Sequence, residues 1–544
     1  MARRSYRSLV VVTLAVLLVG LALGELAHRY ALARRASFDS ARIQLALGDQ
    51  YEAEATFWKL LRTEPPTIDR FVLFLDAHDR AMAGKKAGRR DKGTEEDDEH
   101  VNPYEPELTT KRPATVDDGD IEAFVNRADL PENFSYLARF AWEGRGGDID
   151  PAVMTWVTTA ADRTPPLPWA NRFLADEAAA HEDAVSMAER LMREGRNVPS
   201  HRSDIGAALE IYASENDFAS IAASMSDPAV QAEASSALRA RVAVETNAWK
   251  DAAVYSFRST FPRPPLGPLV LAAIAALAWG VFCAQLGKAQ ERPYFRLGIY
   301  LVAFGLGALS VVVTDLFILL EEAKLHLVET GDPLRDFLYY TFGVGFREEL
   351  SKLILFVPLL PLLRKYGTKI DVLVAGAFVG LGFAAVENLS YLQSGDLTTA
   401  TGRFLTANFL HMSMTAILAN ALDDFLEKGD AYAPEMSKTA LFVMGMHGLY
   451  DFFIAHRQIG GGYLSMLVFF LLVHRFLVAV DDARGRVVKN ERLFDTYVVG
   501  IAVVLSASYT WASYLVGPAH AAVACGEGLL GSLILIFVFA NRFR

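Results

Sequence analysis

From about Leu266 onward the chain is dominated by apolar runs of roughly 18 or more residues, the length a helix needs to cross the hydrocarbon core of a bilayer. Lipid offers no hydrogen bonds to backbone N–H and C=O groups, so segments that cross it singly satisfy themselves as helices. The runs lie near Leu266 to Leu286, Leu297 to Leu320, Leu334 to Leu363, Val372 to Leu392, Phe404 to Leu426, Thr439 to Ala455, Tyr463 to Val480, Phe494 to Val516 and Ala521 to Phe539. With an N-terminal apolar segment, Leu9 to Leu23, they make about ten expected spans. The expected fold class is therefore all-α: a polytopic helical membrane bundle.

The rest of the chain is different in kind. Residues from about Phe38 to Pro262 are polar, and the whole chain of 544 residues carries a formal charge of −11. We read 1–37 as an anchor or signal segment, 38–263 as an α-helical domain outside the cytoplasm, and 264–544 as the membrane domain. Within the second part, 84–120 is a charged insert with the acidic run Glu95 to Glu99 and too little apolar surface to fold alone. The acidic balance excludes the basic footprint of a nucleic-acid-binding protein. Cys283 and Cys525 fall near opposite faces of the bilayer, so no disulfide framework is expected.

Loop charge sets the orientation. Lys288, Arg292 and Arg296, then Arg364, Lys365 and Lys369, then Arg484, Arg486, Lys489 and Arg492 fall on one side if every run crosses, and that side is cytoplasmic. The loops around Ser394 to Gly402 and Gly517 to Ala521 are poor in Lys and Arg. Arg3, Arg4, Arg7, Arg542 and Arg544 then put both termini in the cytoplasm if the first segment is uncleaved, as in a multi-pass protein of a bacterial-type inner membrane. In the outer domain, Gly48, Ala53, Phe57 and Pro65 resemble the second half of a tetratricopeptide repeat, and a looser helix-loop-helix echo runs from Ile205 through Asn216-Asp217-Phe218 to Pro228. An α-helical domain is expected, either partly TPR-like or an ordinary non-repeat helical bundle, and suited to a protein partner.

Charged residues inside the apolar runs need a reason, since each costs about 2.5 to 3.5 kcal/mol near the bilayer centre on insertion scales. Phe346-Arg347-Glu348-Glu349-Leu350-Ser351-Lys352 contains four of them. On a helix Glu348 and Glu349 both reach Lys352, at spacings of four and three. In the next run Phe383, Glu387 and Tyr391 share one face, and Gly376 and Gly380 suit close approach to a neighbouring helix. His411 follows in the next run, then His447 with Asp451 one turn on. At about 1.5 Å per residue, Glu387 lies roughly 22 Å from the cytoplasmic start of its run and His411 about 10 Å from the outer start of its own. Four helices can thus converge on one polar pocket opening outwards.

In order and spacing, Glu348-Glu349-x-x-Lys352, Phe383-x-x-x-Glu387-x-x-x-Tyr391, His411 and His447-x-x-x-Asp451 resemble the PrsW family of intramembrane proteases, a family similar in fold to CAAX prenyl proteases and to the anterior-pharynx-defective subunit of γ-secretase. The resemblance implies peptide-bond hydrolysis in a membrane-anchored protein, with Glu348, Glu349, Lys352, Glu387, His411, His447 and Asp451 as catalytic candidates. It leaves two mechanisms open: a glutamate-activated water with no required cofactor, which we favour, or zinc held by His411, His447 and Glu387. The one His326-x-x-Glu329 lies in an outer loop, and no His-Glu-x-x-His of common zinc proteases is present. The alternative from another class is a non-catalytic scaffold with a protein-binding outer domain.

Overall fold

The computed structural model describes residues 2–33, 50–90, 115–261, 266–287, 292–393, 402–456, 458–459, 463–485 and 491–543. Every regular element among them is a helix. The chain divides into two compact units, Ala31–Leu238, and Met1–Tyr30 with Arg239–Arg544. The acidic run Glu95 to Glu99, Gly48, Lys288, Arg486, Lys489 and most of the loop from Ser394 lie outside the described residues.

The Ala31–Leu238 unit is a succession of helices of unequal length. Helix Gln50–Thr63 packs on helix Ile68–Arg90 through the buried Ala53, Phe57, Phe71 and Phe74. The repeat-like text from Gly48 to Pro65 thus ends in a helical hairpin, and the tetratricopeptide assignment rests on that text alone. Residues 84–90 of the charged insert continue the second helix. Near Ile205 the expected helix-loop-helix is present: helix Ser203–Ser214 stops before Asn216, which adopts a left-handed φ of 56°, and Asp217 caps the next helix by accepting from the Ser220 N–H at 3.0 Å. Buried polar groups tie these helices together. Glu54 accepts from His78 Nδ1 at 2.7 Å and from the Val116 N–H at 3.0 Å, so neither carboxylate nor ring is left unpaired.

Among the described residues of the other unit six helices are long and apolar enough to cross a membrane: Ser8–Tyr30, Leu266–Leu286, Pro293–Leu325, Lys369–Leu392, Tyr463–Arg484 and Arg492–Leu515. A seventh is added if the bent pair Pro518–Leu530 and Leu535–Phe543 is one span. About ten were expected, and the difference falls on particular segments. The stretch Leu334 to Leu363 is a broken series, with helix Pro333–Leu338, a π-helical stretch Tyr339–Val344, helix Gly345–Phe356 and a 3-10 turn Val357–Leu359 before helix Leu360–Tyr366. Pro358 and Pro361 lack the N–H groups a continuous helix would use there. Helices Ala407–Lys428 and Ala433–Ala455 are not among the six: polar residues such as His411 and Asp423 in the first, and Lys438, His447 and Asp451 in the second, dilute their apolar character.

Helix Lys369–Gln393 lies at the centre of this unit, and glycines on two faces allow it. A Cβ at Gly382 would overlap the Phe304 carbonyl of helix Pro293–Leu320, and one at Gly380 would overlap the His411 carbonyl of helix Ala407–Lys428. The neighbour reached by Gly376 and Gly380 is therefore the His411 helix rather than the one bearing the glutamate pair. The N-terminal helix Ala2–Ala33 packs on helix Glu491–Val516, where Ser506 Oγ donates to the Val16 carbonyl at 3.1 Å and a Cβ at Gly20 would meet Ser506. Neither Cys283 nor Cys525 is in a disulfide.

Candidate active site

Helix Gly345–Phe356 buries Arg347, Glu348, Glu349 and Lys352 together. One helical turn brings the Lys352 ammonium within 2.8 Å of Glu349 Oε1 and 3.3 Å of Glu348 Oε2. Arg347 points elsewhere, donating to Glu321 Oε2 at 2.7 Å. The π-helical stretch just before this helix is the wide turn often met at functional sites, and here it lets the His447 helix approach closely. A Cβ at Gly448 would overlap the Tyr340 carbonyl, and one at Gly345 the Met444 carbonyl.

That approach delivers His447 to the glutamates. Its Nδ1 lies 3.0 Å from Glu349 Oε1, and its Nε2 lies 3.5 Å from Glu348 Oε2 and 3.3 Å from Asp451 Oδ2. Thr415 Oγ1, from the His411 helix, donates to the other Glu349 oxygen at 3.4 Å. Glu349 therefore has charged or polar partners from three helices.

His411 joins the second half of the cluster. Its Nδ1 is 2.9 Å from Lys352 Nζ, and its Nε2 is 2.9 Å from Glu387 Oε2. An ammonium only donates, so Nδ1 accepts, and the ring proton sits on Nε2 facing the carboxylate. Phe383 lies beneath Lys352, its ring centroid 3.8 Å from Nζ. The face shared by Phe383, Glu387 and Tyr391 is thus directed at the site along its whole length.

All seven site residues singled out in the sequence meet in this cluster. Four residues that sequence reasoning passed over meet there too: Arg403, Asn388, Asn408 and Thr415. Arg403 Nη2 lies 2.7 Å from Glu387 Oε2, its guanidinium stands 3.7 Å over the Tyr391 ring, and its Nε donates to Asn388 Oδ1 at 3.1 Å. Asn388 in turn donates to Asn408 Oδ1 at 3.0 Å. The available signal was a lone arginine at the end of the otherwise Lys- and Arg-poor loop that follows the helix bearing Glu387, an intramembrane glutamate that needed a partner.

Exposure shows which side is open. The side chains of Glu349 and Lys352 are 0% exposed and that of His447 1%, whereas Glu348 is 11%, Arg403 17%, Glu387 20% and Asp451 27% exposed. The floor is sealed, and the rim carries three carboxylates and one guanidinium. Such a site can activate a water, hold developing negative charge against N–H donors, and move a proton between carboxylate and histidine. Ligand atoms of Glu348, His411 and His447 also lie within 4.8 Å of one another, a spacing that admits one zinc ion.

No curated protein and no solved structure matches the chain. The family model described as PrsW family intramembrane metalloprotease matches residues 296–477, which take in every residue of the cluster. Motif order, convergence of the motif residues and this match agree: residues 296–477 form a region of the PrsW family of intramembrane proteases.

Proposed function

We propose that the chain hydrolyses a peptide bond in a membrane-anchored protein near the outer face of the bilayer, with Glu348 as general base. The observation that carries this is the unequal setting of the glutamate pair: Glu349 is sealed among Lys352, His447 and Thr415, while Glu348 reaches the open side. Glu348 takes a proton from a water, and the resulting hydroxide attacks the carbonyl carbon. An N–H on His447 Nε2, 3.5 Å from Glu348, meets the developing oxyanion. Collapse breaks the C–N bond, and Glu348 returns its proton to the leaving amine. Glu349 orients Lys352 and, through Nδ1, His447, while Asp451 stands beside Glu348 at the His447 Nε2.

The family description names a metal. Glu348, His411 and His447 have the spacing for one ion, but the arrangement of charge does not suit it, because the Lys352 ammonium stands 2.9 Å from His411 and 3.3 Å from Glu348. We therefore route no step through a metal. Purified protein in proteoliposomes should cleave members of a membrane-peptide library and keep that activity after exhaustive chelation. Loss on chelation with recovery on adding zinc would replace this mechanism with a metal-dependent one. Absence of cleavage of any member by folded protein would favour the non-catalytic scaffold.

Arg403 acts through Glu387. Arg403→Gln should lower turnover by about 10- to 100-fold, the scale of effect from a misplaced active-site group. Arg403→Lys, which keeps charge but loses the planar stack on Tyr391, should recover part of it. Equal activity of all three proteins would remove Arg403 from the site.

We place the helical unit outside the cytoplasm, on the loop-charge pattern alone. Protease added to intact cells should digest it while sparing the membrane helices. Protection in cells with digestion in inside-out vesicles would invert the topology.

A further inference from the structure

We propose that Lys352 is the resident cation of this site: its ammonium occupies the ground between Glu348, Glu349 and His411 that a metal ion would need, and it keeps the native site metal-free. This extends the glutamate reading above, but it is read out by metal content rather than cleavage, so the two can fail separately.

Geometry carries the proposal. An ammonium has three protons, and three acceptors surround this one at hydrogen-bonding distances: Glu349 Oε1 at 2.8 Å, His411 Nδ1 at 2.9 Å and Glu348 Oε2 at 3.3 Å. The Phe383 ring closes the remaining side at 3.8 Å, and Lys352 is wholly buried. Two of those three acceptors, Glu348 and His411, belong to the trio whose spacing admits zinc. A metal ligand must offer a lone pair. The Nδ1 lone pair of His411 is directed at Lys352, and its Nε2 carries the proton that faces Glu387 at 2.9 Å. His411 therefore has no nitrogen to give while Lys352 is in place, and a divalent ion beside the ammonium would meet a like charge at contact range.

The same geometry says what removal of the ammonium does. With a neutral residue at 352, the His411 Nδ1 lone pair is released and the glutamate pair loses its counter-ion. Glu348, His411 and His447 then become a three-donor site with an open position on the rim side, the arrangement zinc uses when it keeps one ligand site for water.

The test is zinc binding by the full-length protein in detergent, titrated against a chromophoric chelator, with folding checked by circular dichroism and gel filtration. Wild type and Lys352→Arg should show no stoichiometric zinc site that depends on Glu348. Lys352→Gln should gain one zinc per chain, bound at least 100-fold more tightly than by wild type, and lose it again when combined with Glu348→Gln. Cobalt(II) in place of zinc should give Lys352→Gln, and not wild type, the visible absorption of a tetrahedral site. One tightly bound zinc per wild-type chain that Glu348→Gln removes would overturn the proposal, as would a folded Lys352→Gln protein that gains none. If neither Lys352→Gln nor Lys352→Ala folds, the wild-type titration with its Glu348→Gln control decides: a Glu348-dependent site refutes the proposal, and its absence upholds it.

Discussion

Glu348→Gln is expected to lower turnover on the order of 1,000-fold while leaving thermal unfolding nearly unchanged, because the amide cannot take a proton from water and the side chain stands at the open edge of the cluster. Glu349→Gln should behave differently. Glu349 is fully buried against the Lys352 ammonium and His447, so losing its charge weakens the pairing of a buried lysine, a change that costs about 3 kcal/mol or more. Its activity loss should therefore come with a clear fall in unfolding temperature. Adding Lys352→Met to Glu349→Gln should restore part of the stability and none of the activity, since the second change removes the poorly compensated charge but not the damage to the site. A stable, inactive Glu349→Gln beside a fully active Glu348→Gln would exchange the roles of the two residues.

Gly380→Leu should lower turnover about 100-fold, although Gly380 has no chemistry of its own. A Cβ there would overlap the backbone carbonyl of His411, and backbone cannot swing aside as the end of a side chain can. The His411 helix must move outward, carrying His411 away from Lys352 and Glu387. Overpacking of this kind costs about 1 to 3 kcal/mol. A displacement near 1 Å at a catalytic cluster can by itself reduce turnover about 100-fold. Gly298→Leu is the matched control, because that glycine in helix Pro293–Leu320 has open space around its missing side chain. Retained activity in Gly380→Leu, or equal losses in both variants, would show that close approach of these two helices does not set the site.

The helical class of this chain and the helical faces that carry its candidate site residues were legible in the sequence because both depend on local rules. Apolar runs in lipid have to be helices, and a spacing of three or four puts Glu348 and Glu349 within reach of Lys352 whatever the surroundings. His447 and Asp451 obey the same rule, as do Phe383, Glu387 and Tyr391, whose common face is the one turned to the cluster. Relations between helices were not legible, since sequence periodicity states which face is buried and not against what. Gly376 and Gly380 announced a close approach without naming the His411 helix as its partner. The segment around the glutamate pair read as one long span, and only packing against Gly448 and the two prolines turned it into a broken series with a wide turn. Arg403 looked like the edge of a loop until the fold set it on Glu387. The sequence by itself determined which groups had to be buried and on which helical faces. Tertiary structure alone decided which of them meet, which glutamate faces the open side, and that a lysine rather than an empty space lies between the histidine and the glutamates, because those outcomes depend on distances between residues as far apart in the chain as Glu348 and His447.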